Sequence, residues 1–348
     1  MSDLRTKHVV SRFLGSLSGS FGEVSEMGRR ARERRDRLKG DGRMRAVVNS
    51  IPKSGTHLLD RLLILLGFEL GDFGGVRPHL VEGDRFPLAR RRLRSLLGLW
   101  KPENAMGIGP HLIEGGRFPL ARKLLRGRGP DKVTTGVDFP REIGRGWLRR
   151  RLAKVPDGCF VTAHCLYTPE LAELLREEGM PLVCILRDPR DVAVSQMHHI
   201  KQRKEHFAHE AFLKLPSDHE RLLLSIRGGE LAGRRLQSLD ERYRQFVGWQ
   251  RDENSVLVKF EDLVGPKGGG SAEAQRATVE RVARHVGLEP DERMIRTVEE
   301  NIFGVSKTFR KGQIGGWRSA FSEQHVRATN EVAGPLLAEP GYEADPDW

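Results

Sequence analysis

Cysteine is scarce in this 348-residue chain: only Cys159, Cys165 and Cys184 occur, an odd number with no C-x-x-C pair. That excludes a disulfide framework and a structural zinc site, and it makes a reducing interior the simplest compartment, so a cytoplasmic location is expected. Cys184 lies in an apolar run and reads as a small core residue. Long apolar runs are missing as well. The longest, Leu62–Leu66 with its flanks, is far too short to span a bilayer. The N-terminus lacks the basic, apolar and cleavage regions of a signal peptide. Acidic residues are in deficit, 47 against 59 basic ones, for a formal net charge of +12. Nucleic acid, anionic membrane, nucleotide and acidic glycan all suit that balance, and it does not choose among them. Aromatic residues are absent from the basic stretch 28–45, so this stretch lacks the stacking groups of a nucleic-acid arm. It reads as a solvated surface helix or linker, and no nucleic-acid partner is expected.

What remains is enough for a core. Hydrophobic residues make up 38% and charged residues 30% of the chain, which suits one large α/β domain or two modest ones. Residues 1–44 form a basic N-terminal extension, in which Val9, Val10, Phe13, Leu14 and Leu17 share one helical face. That face suits a docked terminal helix or a weak membrane-surface contact. Order begins at residue 45. Arg45–Ile51 reads as a short buried strand, Pro52 and Gly55 punctuate a turn, and Leu58–Leu66 follows as a helix ended by Gly67. Residues 72–140 form a long insertion with an internal duplication: Pro78–Arg90 recurs 32 positions later as Pro110–Arg122, with 11 of 13 residues identical. Two copies do not make a solenoid. Strands are then expected at 158–164, 181–187 and 255–260, and helices at 168–178, from Asp188 onward, and at 272–286. Strands alternating with helices imply a central parallel sheet covered on both faces.

Three segments carry chemistry. The first is Pro52-Lys53-Ser54-Gly55-Thr56-His57 between strand and helix. A glycine-bearing turn at a helix N-terminus offers unpaired N–H groups to an anion, and the helix dipole adds favourable potential. Lys53 adds a mobile charge, and Ser54 and Thr56 add hydroxyls. The lysine precedes the glycine, so this is not a G-x-x-x-x-G-K-[ST] loop. The second is Arg187-Asp188-Pro189-Arg190-Asp191, with Ser195 eight residues after Arg187. Arg187 leaves the end of a buried strand, where ligands gather in open α/β sheets, and its guanidinium suits phosphate. Asp188 and Asp191 read as capping and ion-pair residues. The third is Arg310-Lys311-Gly312-Gln313-Ile314-Gly315-Gly316-Trp317, a basic glycine loop able to fold over a phosphate. His198, His199, His206 and His209 are spaced suggestively. No H-E-x-x-H motif or carboxylate cage accompanies them, so they read as a polar helix face and no metal is called for.

Together and in this order, the three segments resemble the sulfotransferases that use 3′-phosphoadenosine 5′-phosphosulfate (PAPS), over residues 45 to 345. The resemblance implies an α/β fold: a central parallel sheet flanked by helices in a P-loop NTPase-like three-layer architecture. It implies PAPS as donor and no metal. Lys53 would contact the bridging oxygen and sulfonate. Ser54, Gly55, Thr56 and His57 would hold the 5′-phosphate, and the neighbouring Leu58 would also lie at the bound cofactor. Arg187 and Ser195 would hold the 3′-phosphate with Arg310, Lys311 and Gly312. The family's base is a histidine closing a Lys-Thr-His strand end; Thr162-Ala163-His164 matches that place, making His164 the candidate. Lys53, His164 and Ser195 are thus the catalytic expectations. The sequence departs from the family's pattern at Leu58, where an adenine-stacking tryptophan is common, at Phe260 in place of tyrosine, and at Gly316-Trp317-Arg318. Phe303 is a further candidate for adenine contact. The acceptor is a hydroxyl or amine, with Arg85, Arg90, Arg117 and Arg122 of the duplicated segments favouring an anionic or glycan molecule. Two other readings stand beside this one: a P-loop kinase-like phosphotransferase, and a basic module binding nucleic acid or anionic membrane without catalysis.

Overall fold

The computed structural model describes residues 44–71, 79–80, 131–303, 312–338 and 342. The basic extension before Met44, nearly all of the duplicated segments, Arg310 and Lys311 lie outside the described residues.

Strand β1 (Ala46–Ser50) leads through a turn to α1 (Thr56–Leu65), and the short strands β2 (Glu69–Leu70) and β3 (His79–Leu80) follow. A hairpin of β4 (Lys132–Thr135) and β5 (Arg141–Gly144) runs into α2 (Arg145–Leu152). Next come β6 (Cys159–Ala163), α3 (Pro169–Glu177), β7 (Leu182–Leu186) and α4 (Pro189–Gln202). Helices α5 (His209–Leu213) and α6 (Asp218–Arg227) precede a second hairpin, β8 (Gly229–Leu231) and β9 (Arg234–Leu236), and α7 (Leu239–Val247). Strand β10 (Ser255–Lys259), the short α8 (Phe260–Leu263), α9 (Ala272–His285), α10 (Glu292–Asn301) and α11 (Glu323–Ala338) complete the described chain.

The main sheet runs β10-β7-β1-β6-β2, with β3 also on β6, and every pair is parallel. Strands β1, β6 and β7 are buried at every position, as continuous apolar runs between two helical layers must be. Alternate side chains of a strand point to opposite faces, and the two cores divide accordingly. Val47, Val161, Leu182, Cys184 and Leu186 join one apolar cluster, while Val48, Phe160, Val183 and Ile185 join the other. The expected three-layer α/β architecture is therefore present. Strand β10 alternates buried and half-buried residues because it is the edge of this sheet.

Helix boundaries follow local chemistry. Thr168 caps α3 by accepting from Leu171 N, with Pro169 in the first turn, and Asp188 caps α4 in the same way ahead of Pro189. Ser238 and Glu241 form a reciprocal capping box on α7. Helix α1 starts at Thr56, two residues before the sequence suggests, because Gly55 adopts φ 115° and turns the chain directly into the helix. The stretch 131–140 is built into the molecule: Val133, Thr135 and Val137 are buried. Among the described residues, no helix is long and apolar enough to cross a membrane.

Candidate functional site

Two loops leave the C-terminal ends of neighbouring strands, where Ser50 of β1 is paired with Ile185 of β7. The first spans Ile51–Gly55. Ser54 is wholly buried, and its hydroxyl donates to Ile51 O (2.7 Å) and Ile185 O (3.1 Å). That hydroxyl rivets the loop to β7, so the expected ligand donor at Ser54 is already engaged by the backbone. Thr56 Oγ1 lies 2.7 Å from Ser50 Oγ. Helix α1 has no side-chain cap and no acid in its first turn. Its leading N–H groups and dipole are thus arranged for an external anion. His57 is exposed beside Asp60, and Leu58 is half-buried against the second apolar cluster, as is Phe303.

Lys53 sits at φ 78°. A non-glycine residue in the left-handed region costs about 1–2 kcal/mol, so surrounding contacts must hold it there. Its Nζ lies 3.5 Å from His199 Nδ1. Burial, then the charge of Lys53, hold the His199 imidazole down to about 3, so it is neutral and can accept from the ammonium. His206 is likewise held to about 4, chiefly by burial, and its ring stacks on Phe207 at 4.8 Å. The four histidines do not share the single helix face expected from their spacing: His198 and His199 lie on α4, His206 lies beyond its end and His209 opens α5.

On the other side of β1, His164 closes β6. It is 7% exposed, and its Nδ1 lies 2.8 Å from Ser50 O and 3.0 Å from Ser50 Oγ. A ring nitrogen facing a carbonyl carries the proton, which makes Nε2 the basic atom. Below it, Thr162 Oγ1 donates to Asp60 Oδ1 at 2.7 Å, and the Asn49 side chain closes a two-bond ring with the backbone of Cys165.

Arg187 begins the second loop. Its Nη2 donates to Asp191 Oδ2 (3.2 Å) and to Gln313 O (2.8 Å), and its guanidinium covers the Phe260 ring at 4.2 Å. Its Nε is buried without a hydrogen-bond partner. An orphaned guanidinium donor is costly unless a ligand meets it, and an anion does so best. Asp188 and Asp191 do the capping and pairing expected of them: Asp188 binds the buried Arg190, and Asp191 accepts from Arg187, Gly315 N and Trp317 N. The segment from Gly312 is thereby folded over Arg187. Ser195 is half-buried on α4, one turn after Asp191 and one turn before His199. Residues four apart share a helix face, so Ser195 lies between the Arg187 cluster and the Lys53 contact.

Sequence reasoning missed Arg242, Asp138 and Gln196. Arg242 is fully buried and bonds both of the others, together with Pro52 O. The signal was present: Leu239, Tyr243 and Phe246 make an apolar helical stripe, and Arg242 falls inside it. A cation there needs buried acceptors, which means a function in holding parts together.

The geometry thus sets an uncapped helix N-terminus beside an orphaned guanidinium donor, two neighbouring places suited to an anion. A model of the sulfotransferase domain matches residues 44–341. The chain belongs to the PAPS-dependent sulfotransferase family. The sulfotransferase transfers a sulfuryl group from PAPS to an acceptor. No curated protein matches its sequence. Among solved structures, it is similar to a mouse sulfotransferase, SULT7A1, complexed with PAP, at 15% identity and a TM-score of 0.46, over 84% of each chain. It is also similar to retinol dehydratase with androsterone and inactive cofactor PAP, at 18% identity and a TM-score of 0.45, over 84% of this chain and 80% of that one. The same dehydratase with retinol and PAP gives 18% and 0.47, over 84% and 81%.

Proposed function

We propose that Lys53 and His164 carry the sulfuryl transfer between them. The observation that supports this is the strand order β7-β1-β6, which sets Arg187, the Lys53 loop and His164 side by side at one end of the sheet. On this reading, Arg187, Ser195 and the Gly312 segment hold the 3′-phosphate. The N–H groups of the Gly55–His57 turn hold the 5′-phosphate. His164 Nε2 takes the proton of the acceptor hydroxyl or amine as the acceptor's oxygen or nitrogen bonds to sulfur. The bond from sulfur to the 5′-phosphate oxygen breaks in line, and Lys53 meets the charge developing on that oxygen. Sulfuryl transfer resembles phosphoryl transfer, in which fixed positive charge and alignment supply most of the rate. General-base catalysis is worth about 10²–10⁴-fold. His164→Ala should therefore lower kcat by at least about 10²-fold with PAP affinity unchanged. Full activity in that variant would remove His164 from the chemistry.

The acceptor is read as an anionic molecule or glycan, on the net charge of +12 and the arginines of the duplicated segments. Deleting residues 78–109, which leaves one copy in place, should then raise the acceptor KM; unchanged acceptor kinetics would dismiss the segment from recognition.

A further inference from the structure

Arg242 has more partners than stability alone asks for. A buried guanidinium needs a carboxylate, and Asp138 supplies one: Nε to Oδ1 at 2.7 Å and Nη2 to Oδ2 at 3.4 Å. An apolar side chain at this place on the α7 stripe would fill the same space without desolvating a charge. The remaining bonds go elsewhere. Nη1 donates to Gln196 Oε1 at 2.7 Å, and Nη2 donates to Pro52 O at 3.1 Å. Gln196 follows Ser195 on α4. Pro52 precedes Lys53, and its carbonyl belongs to the peptide plane that sets the Lys53 φ of 78°. One rigid, planar fork therefore reaches the first loop and the helix that follows the second, and ties each to the segment after β4.

We infer that Arg242 is a positioning residue for sulfuryl transfer, its guanidinium holding the Pro52–Lys53 peptide in the left-handed turn and in register with the Ser195 helix. This rests on the reading of Lys53 given above. Arg242 reaches the reaction only through Lys53. Losing it should cost more in the transition state, where charge grows on the leaving oxygen, than in donor binding, which the α1 N-terminus and Arg187 also support. Lysine cannot replace it, because a single ammonium does not span three acceptors on separate segments.

The test is a double-mutant cycle between Arg242→Lys and Lys53→Met, read by single-turnover sulfate transfer from PAPS, by PAP calorimetry and by thermal melting. A small misplacement of a reacting group costs up to about 10²-fold, so Arg242→Lys should lower the transfer rate by about 10- to 100-fold. PAP Kd should change by less than about threefold, since the split between rate and ground-state affinity marks an interaction made in the transition state. In the Lys53→Met background, Arg242→Lys should have almost no further effect on the rate, because it acts through the missing ammonium. Additive losses, or a rate loss matched by an equal loss in PAP affinity, would overturn the inference, as would an unchanged rate in folded Arg242→Lys. If Lys53→Met itself keeps the full rate, the reading of Lys53 fails first and the inference falls with it. Gln196→Leu, which cuts one bond of the fork and leaves the ion pair with Asp138, gives the same readout should the lysine variant fail to fold; a wild-type rate there would also overturn the coupling.

Discussion

Gly55 is the position at which one added methyl group should disturb both halves of the proposed donor site. Its φ of 115° belongs to glycine, and an L-residue held there pays about 1–2 kcal/mol. A Cβ would also stand 2.8 Å from Phe260 Cδ2 and 3.1 Å from Ile185 Cδ1. Ile185 is fixed in the centre of the sheet, so the Phe260 ring has to move, and overpacking of this kind costs about 1–3 kcal/mol. Gly55→Ala should therefore destabilise the sulfotransferase by roughly 2–5 kcal/mol in urea unfolding, the sum of those two costs. The Phe260 ring is also the platform under Arg187, at 4.2 Å. Displacing it moves the guanidinium, so PAP affinity should fall even where the variant is fully folded. Adding Phe260→Leu should recover the steric part of the stability loss and leave the backbone part. A loss below about 1 kcal/mol with unchanged PAP binding would refute this account of the turn, since the backbone cost alone exceeds it.

Two pH-dependent predictions have opposite signs. Burial pushes the Glu261 carboxyl up to about 7, while its carboxylate accepts from Asp188 N at 3.0 Å. Its contribution to stability is complete below the unfolded value near 4.5 and is lost as pH rises through 7, so Glu261→Gln should gain on the wild type across that window. The gain should reach on the order of 3 kcal/mol at pH 8, read as the difference in unfolding free energy; no gain would mean that the carboxyl ionises freely. His206 is the reverse case, depressed to about 4 by burial. Its contribution is present above the unfolded value near 6.5 and is lost as pH falls through 4. His206→Phe, which keeps the ring on Phe207, should flatten acid unfolding relative to wild type by on the order of 2–3 kcal/mol between pH 6.5 and 4. An identical acid limb would contradict it.

The central sheet was legible because β1, β6 and β7 are short apolar runs bounded by turn residues, and period and composition both point to buried parallel strands. The placement of the Lys53 and Arg187 loops was legible for a related reason: each follows such a strand and opens a helix. Contacts between distant segments were not. Nothing local in Ser54 says that its hydroxyl is drawn to Ile185 O, and the spacing of His199 and His206 says nothing of their contacts with Lys53 and Phe207. Arg242 lay between these cases. Its place in an apolar stripe marks it as a buried cation, but its three acceptors come from positions 52, 138 and 196, which only the fold brings together.

Pairing of the two anion sites on one nucleotide is the centre of this account, and the 3′-phosphate is its most direct probe. Calorimetric titration of PAP and of 5′-AMP, which lacks that phosphate, into wild type and Arg187→Met measures it. A hydrogen bond to a charged group is worth about 1.5–3 kcal/mol, so PAP should bind the wild type at least about tenfold more tightly than 5′-AMP, with most of that preference gone in Arg187→Met. Equal binding of the two nucleotides by the wild type, or an equal loss for both in the variant, would contradict the assignment of Arg187 to the 3′-phosphate.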